Sequence, residues 1–139
     1  MITIVCRLRS APGQYGIVDH TDWEAFTLLY PRYLEERDNP NVEAATGVSY
    51  TGLEVYIEGG WTQVAHVPGA FIVNQGEMLS RLTGGRFRAP VHRVQAQNEF
   101  ERCSLVSFWA PDYDAWLPDP DHGSILVGEY YLKRNAFLD

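Results

Sequence analysis

Residues 53–74 read LEVYIEGGWTQVAHVPGAFIVN, and this stretch decides the fold class. Leu53 to Ile57 alternates in the two-residue period of a strand with one face inward. Glu58-Gly59-Gly60 is a turn signal and Trp61 to Val67 resumes extended, so the two runs read as a hairpin. Pro68-Gly69 turns the chain once more, into Ala70 to Asn74.

The same grammar repeats on both sides. Ile2 to Arg9 is strand-like and ends at Ala11-Pro12-Gly13; Tyr15 to Val18 leads into His20; Phe26 to Tyr30 is a short apolar run. Val91 to Gln97 and Arg102 to Trp109 read as a later pair joined by the polar stretch 98–101, and Gly128 to Lys133 as a last strand. Helical turns are expected only over Met78 to Leu82 and Tyr33 to Arg37. Many short strands between Gly and Pro turns imply an all-β sandwich or barrel. The expectation is a single domain over residues 1–139, with an exposed insertion at 31–50 and a C-terminal arm at 110–139 that starts as an Asp- and Pro-rich loop, Pro111 to Gly123.

A hydrophobic fraction of 45% and an aromatic fraction of 13% support a packed core. A net charge of −7 argues against nucleic acid and anionic membranes as partners. Arg81, Arg86, Arg88 and Arg93 lie in a stretch without acids, which suits either a small anionic ligand or a solvated face. Cys6 and Cys103 each fall within an apolar run and read as reduced core thiols. The N-terminus lacks a signal-peptide pattern and nothing reaches membrane-span length, so a cytoplasmic setting is expected.

His20-Thr21-Asp22 sets an imidazole and a carboxylate two positions apart, on one face if the strand continues through them. Such a triplet alone is a weak signal. A distant histidine, His92, would complete the two-histidine, one-carboxylate set that leaves Fe(II) with open positions. His66 competes for the third place but reads as a core histidine, and His122 as an exposed one. Asp19 would point away from His20. Arg102-Cys103-Ser104 puts a guanidinium fork and a hydroxyl on one strand face, suited to a carboxylate or simply solvated.

The ordered set His20-Thr21-Asp22, Phe26-Thr27-Leu28-Leu29, Gly52-Leu53-Glu54-Val55, Trp61, Val64, Pro68-Gly69-Ala70, Val73-Asn74-Gln75-Gly76-Glu77, His92-Arg93-Val94 and Arg102-Cys103-Ser104 resembles the 2-oxoglutarate/Fe(II)-dependent oxygenases, within them the isopenicillin N synthase-like branch. The resemblance implies a double-stranded β-helix, or jelly roll. It implies iron held by His20, Asp22 and His92, and the distal carboxylate of the co-substrate 2-oxoglutarate held by Arg102 and Ser104. The implied activity is oxidation of a small molecule by O2, hydroxylation by default. The rivals are a same-fold oxidase drawing electrons from its substrate or from ascorbate, and a non-catalytic jelly-roll subunit. Arg7-Leu8-Arg9-Ser10-Ala11-Pro12 stands where the family has Arg-Leu-Asn-Tyr-Tyr-Pro, and the spacing from Asp22 to His92 is longer than usual. Relatives also carry a large N-terminal region before the barrel, so a homodimer or a partner subunit is expected to cover the sheet it would have covered.

Overall fold

The computed structural model describes residues 2–7, 15–33, 49–67, 69–95 and 102–136. Strands β1 (Ile2–Arg7), β2 (Tyr15–His20) and β3 (Phe26–Tyr33) come first. The predicted hairpin follows as β4 (Ser49–Ile57) and β5 (Gly60–His66), then β6 (Ile72–Gln75) and helix α1 (Glu77–Leu82). Next come β7 (His92–Gln95), β8 (Arg102–Trp109), β9 (Trp116–Asp119), β10 (Gly123–Leu126) and helix α2 (Val127–Asn135).

Eight of the strands form two antiparallel sheets, β1-β8-β3-β6 and β2-β7-β4-β5. Apart from the β4–β5 hairpin, each step along the chain from β1 to β8 crosses to the other sheet, which is the jelly-roll route. Among the described residues the two sheets are not hydrogen-bonded into a closed barrel. The hairpin turns through Glu58 and Gly59, both with positive φ (51° and 86°), the backbone hand that a two-residue turn requires.

Several expectations are corrected. Val91 to Gln97 and Arg102 to Trp109 are not partners: β7 pairs with β2 and β4, β8 with β1 and β3. The stretch from Pro111 to Gly123 is not a bare loop, since it holds β9, which pairs with β10. Gly128 to Lys133 is helix, not strand. Pro31 to Tyr33 and Ser49 to Tyr50 belong to β3 and β4; residues 34–48 lie outside those described, as does most of the expected turn Tyr33 to Arg37. Cys103 is disulfide-bonded rather than reduced. Its direct cross-strand neighbour is Cys6, brought opposite by the β1–β8 pairing that no local spacing reveals. The thiol argument for a reducing compartment therefore loses its support. No described helix is long and apolar enough to cross a membrane.

One buried cluster unites Ala25, Met78, Leu117, Ile125, Val127 and Tyr130, with Trp23, Phe26 and Leu79 packed against it. Met78, Leu117 and Val127 have no solvent exposure. The segment expected to be an arm thus supplies most of a core that lies directly behind residues 21–26.

Candidate metal centre

β2 and β7 pair antiparallel with two shifts of register, after which His20 lies directly opposite His92. Direct cross-strand partners point to the same face, and the two imidazole centroids lie 4.2 Å apart. Asp22 joins them by a different route from the strand alternation expected. β2 ends at His20, and the chain bends after it. The Asp22 carboxylate is instead held by β3 and β6: its Oδ2 accepts from Thr27 Oγ1 at 2.5 Å and from Asn74 Nδ2 at 2.6 Å. Its other oxygen, Oδ1, lies 3.6 Å from His20 Nε2 and 3.5 Å from His92 Nε2. One ligand atom from each of the three residues falls within 4.8 Å of the other two.

The donor chemistry fits a divalent metal. His20 Nδ1 donates to the Val18 carbonyl at 2.8 Å and His92 Nδ1 to the Pro90 carbonyl at 3.2 Å. A carbonyl only accepts, so each Nδ1 carries the proton and each Nε2 presents its lone pair inward in the neutral ring. Asp22 likewise spends one oxygen on its neighbours and aims the other at the histidines. Burial pushes its pKa up, but hydrogen bonds from His20, His92 and Thr27 outweigh that and hold it well below the usual carboxylate range. The Asp22 hydrogen bond raises the His20 pKa against the opposing effect of burial. With both rings in that tautomer, two Nε2 lone pairs and the Asp22 Oδ1 face one point, the donor set a divalent cation requires.

A second layer fixes the bend. The backbone N–H of Glu77 donates to the Asp22 carbonyl at 2.8 Å and that of Gly76 to the Ala25 carbonyl at 2.9 Å. Glu77 Oε1 accepts from Thr21 Oγ1 at 2.6 Å, so the residue between His20 and Asp22 is tied to α1. Glu77 Oε2 accepts from Tyr130 Oη at 2.9 Å and pairs with Arg134, both on α2. Burial pushes the Tyr130 phenol up to about 12, which keeps it a donor. Gly76 admits nothing larger: a Cβ there would lie 2.0 Å from the Glu24 carbonyl oxygen. Thr27, Asn74 and Glu77 were given no role by the sequence reading. The available signal was a polar side chain, Thr27, inside the apolar run Phe26 to Tyr30.

The competitors separate. His122 is exposed and contacts Asp119 Oδ1 at 3.1 Å, away from the trio. Asp19 points to Arg93, at 3.9 Å. The His66 side chain lies outside the described residues. Arg93 is not part of a free basic strip: it pairs with Glu54 at 2.7 Å and stacks on Trp61. Arg81 is committed to Asp119 at 3.3 Å. Trp23, next to Asp22 in the chain, packs against the buried cluster. Ser104 is half-buried on β8 and the Arg102 backbone lies in the same strand, while the Arg102 side chain lies outside the described residues.

Residues 4–111 match the family model described as the 2OG-Fe(II) oxygenase superfamily. The chain belongs to that superfamily. Among curated members it is 30% identical over 127 residues to 2-oxoglutarate-dependent dioxygenase thnC of Trichoderma harzianum, covering 88% of this chain and 35% of that protein. It is 39% identical over 100 residues to 1-aminocyclopropane-1-carboxylate oxidase 5 of Arabidopsis thaliana, covering 72% of this chain and 28% of the relative. The chain therefore spans about a third of the length of these relatives or less. Among solved structures it superposes on the dioxygenase for auxin oxidation of rice with a TM-score of 0.68 at 25% identity, covering 91% of this chain and 42% of that one. That likeness establishes the shared fold.

Proposed function

We propose that this chain is one catalytic domain of an Fe(II)- and 2-oxoglutarate-dependent oxygenase acting on a small molecule, with His20, Asp22 and His92 as the iron ligands. The observation that carries this is the convergence of two Nε2 atoms and one carboxylate oxygen, each residue having its other polar atom already tied to a neighbour. By family resemblance, Arg102 and Ser104 hold the distal carboxylate of 2-oxoglutarate. Iron bound there would supply the oxidative chemistry, with 2-oxoglutarate, O2 and substrate converted to succinate, carbon dioxide and hydroxylated product. The protein contributes orientation. Thr27 and Asn74 fix the Asp22 carboxylate, Val18 and Pro90 fix the imidazole planes, and α1 fixes the bend between the ligands.

The test separates metal from co-substrate. Anaerobic Fe(II) with 2-oxoglutarate should give a charge-transfer band, and aerobic turnover should release succinate. His92→Ala should abolish both, whereas Arg102→Gln should keep metal binding and weaken 2-oxoglutarate by about 2–4 kcal/mol. Succinate release unchanged in His92→Ala would sink the assignment.

The sheet face opposite Thr27 and Asn74 exposes Phe71, Val73 and Leu105. In the same reading a second copy of the chain, or a partner subunit, covers this apolar face. Light scattering giving a monomer at micromolar concentration would refute it.

A further inference from the structure

A cleft of about 400 Å³ opens where β8 ends, walled by Phe108, Trp109, Tyr113 and Tyr131 and edged by Glu24 and Asp112. Its place ties it to the loop that carries Asp22, since Glu24 lines it and the Trp109 carbonyl accepts from the Ala25 N–H at 2.9 Å. Phe108 lies directly opposite Thr27 across the β3–β8 pair, so the two point to one face of the sheet, while Trp109 lies opposite Phe26 and stacks on it on the other face. Thr27 is the residue that bonds Asp22, and Glu24 follows Asp22 by two positions. A ligand seated in the cleft would thus lie beside the loop that carries Asp22.

The lining selects a charge. Among the described residues it contains two carboxylates and no basic side chain. Two guanidiniums serve elsewhere: Arg134 pairs with Glu77 and lies over Trp23 and Tyr130, and Arg81 is held by Asp119. Glu24 receives one long hydrogen bond, from Tyr131 Oη at 3.4 Å, and no described cation pairs with it or with Asp112. Its acceptor capacity is therefore largely unspent. Aromatic faces carry the negative end of a quadrupole, and Tyr113, 73% exposed, is available to a ligand. Aromatic walls with carboxylates at the rim attract an organic ammonium group and repel an anion. The volume falls within the range of small-molecule sites.

We propose that this cleft is a recognition site for an organic ammonium group, and that it confers on the oxygenase a preference for substrates bearing one. Its part in the reaction rests on the function proposed above; binding of the cation does not. The metal-free full chain is titrated with choline and with the uncharged analogue in which a tert-butyl group replaces trimethylammonium, followed by tryptophan fluorescence and calorimetry. Choline should bind about tenfold tighter than its analogue. The double variant Glu24→Gln/Asp112→Asn should bind the two equally while keeping the parent's melting temperature. Equal binding of the pair by the parent, no choline binding, or a preference that survives in the double variant would each overturn the site. A parallel Co(II) titration judges the metal centre by itself: choline binding without Co(II) binding would retain the cation site and remove the oxygenase reading.

Discussion

Gly76→Ala should do far more damage than a single methyl group ordinarily does. The Gly76 φ of −108° suits any residue, so no backbone preference opposes alanine. The obstacle is contact. The added Cβ would meet the Glu24 carbonyl oxygen at 2.0 Å, its carbon at 2.8 Å and the Asp22 carbonyl oxygen at 3.1 Å. All three are backbone atoms, so no side-chain rotation relieves them, and α1 must retreat by roughly 1 Å or more to reach ordinary separation. Overpacking of this kind costs about 1–3 kcal/mol. Retreat also stretches the hydrogen bonds from Gly76 N to Ala25 O (2.9 Å) and Glu77 N to Asp22 O (2.8 Å). Each contributes about 1 kcal/mol net, which brings the expected loss to roughly 3–5 kcal/mol. A drop of about 10–17 °C in melting temperature should follow. Co(II) affinity should fall with it, because the strained bend carries Asp22. The matched control is Gly60→Ala, where an added Cβ meets nothing within 4 Å and the effect should stay within about 0.5 kcal/mol. Urea denaturation and Co(II) titration of both variants decide the matter. A Gly76→Ala protein as stable and as metal-avid as Gly60→Ala would refute the claim that close backbone packing shapes the loop carrying Asp22.

Two further outcomes follow from the site. Thr27→Val and Asn74→Leu each strip one donor from Asp22 Oδ2 and should each weaken Co(II) about 10–100-fold, with chemical denaturation of the metal-free protein serving as the fold control; unchanged Co(II) affinity in both would mean the carboxylate needs no such support. Burial opposes ionisation of Asp119, but hydrogen bonds from the His122 side chain, from the His122 and Asp121 backbone N–H groups and from Arg81 outweigh it and hold its pKa at about 2, against roughly 3.9 for an unfolded aspartate. Its ionised form stabilises the fold fully above about pH 4 and loses that contribution as pH falls toward 2, so Asp119→Asn should flatten the acid limb of the stability curve in that window; an acid limb identical to the parent's would show that Asp119 contributes nothing there.

The candidate ligands were legible in the sequence because few other residue types bind Fe(II), and the β-rich grammar of residues 53–74 declared the fold class. Strand alternation accounts for only part of what brings His20 and Asp22 together. Strand alternation stops at His20, and hydrogen bonds from residues remote in sequence turn the carboxylate. Such bonds leave no periodic trace. The helix α2 was hidden for another reason. Val127, Tyr130, Tyr131 and Leu132 are β-branched, aromatic and apolar residues that suit a strand equally well, with Gly128 as a further helix breaker. What decides for helix is the burial of Val127 and Tyr130, three apart, against the cluster behind residues 21–26. That cluster exists only once the sheets have assembled. The Cys103 bridge is equally non-local, since its cross-strand neighbour Cys6 is fixed by sheet order and not by spacing.

The same remote contacts bear on why the C-terminal segment is built as a folded unit and not as an arm. Thr21 lies between His20 and Asp22, its hydroxyl engages Glu77, and Glu77 engages Tyr130 and Arg134 on α2. One carboxylate therefore connects the bend at Thr21 to the last helix. Removing α2 would leave that half-buried carboxylate short of a charged partner, and a carboxylate in that state draws its remaining donor, Thr21, into competition with water. Coupling of this kind is reciprocal. Whatever stabilises the bend, a bound metal included, also stabilises the docking of α2, and whatever undocks α2 loosens the bend. The buried cluster acts in the same direction, since Ala25 from the bend and Val127 and Tyr130 from α2 share it. Packing and polar contacts thus converge on residues 21–26, the segment in which the geometry of Asp22 is set.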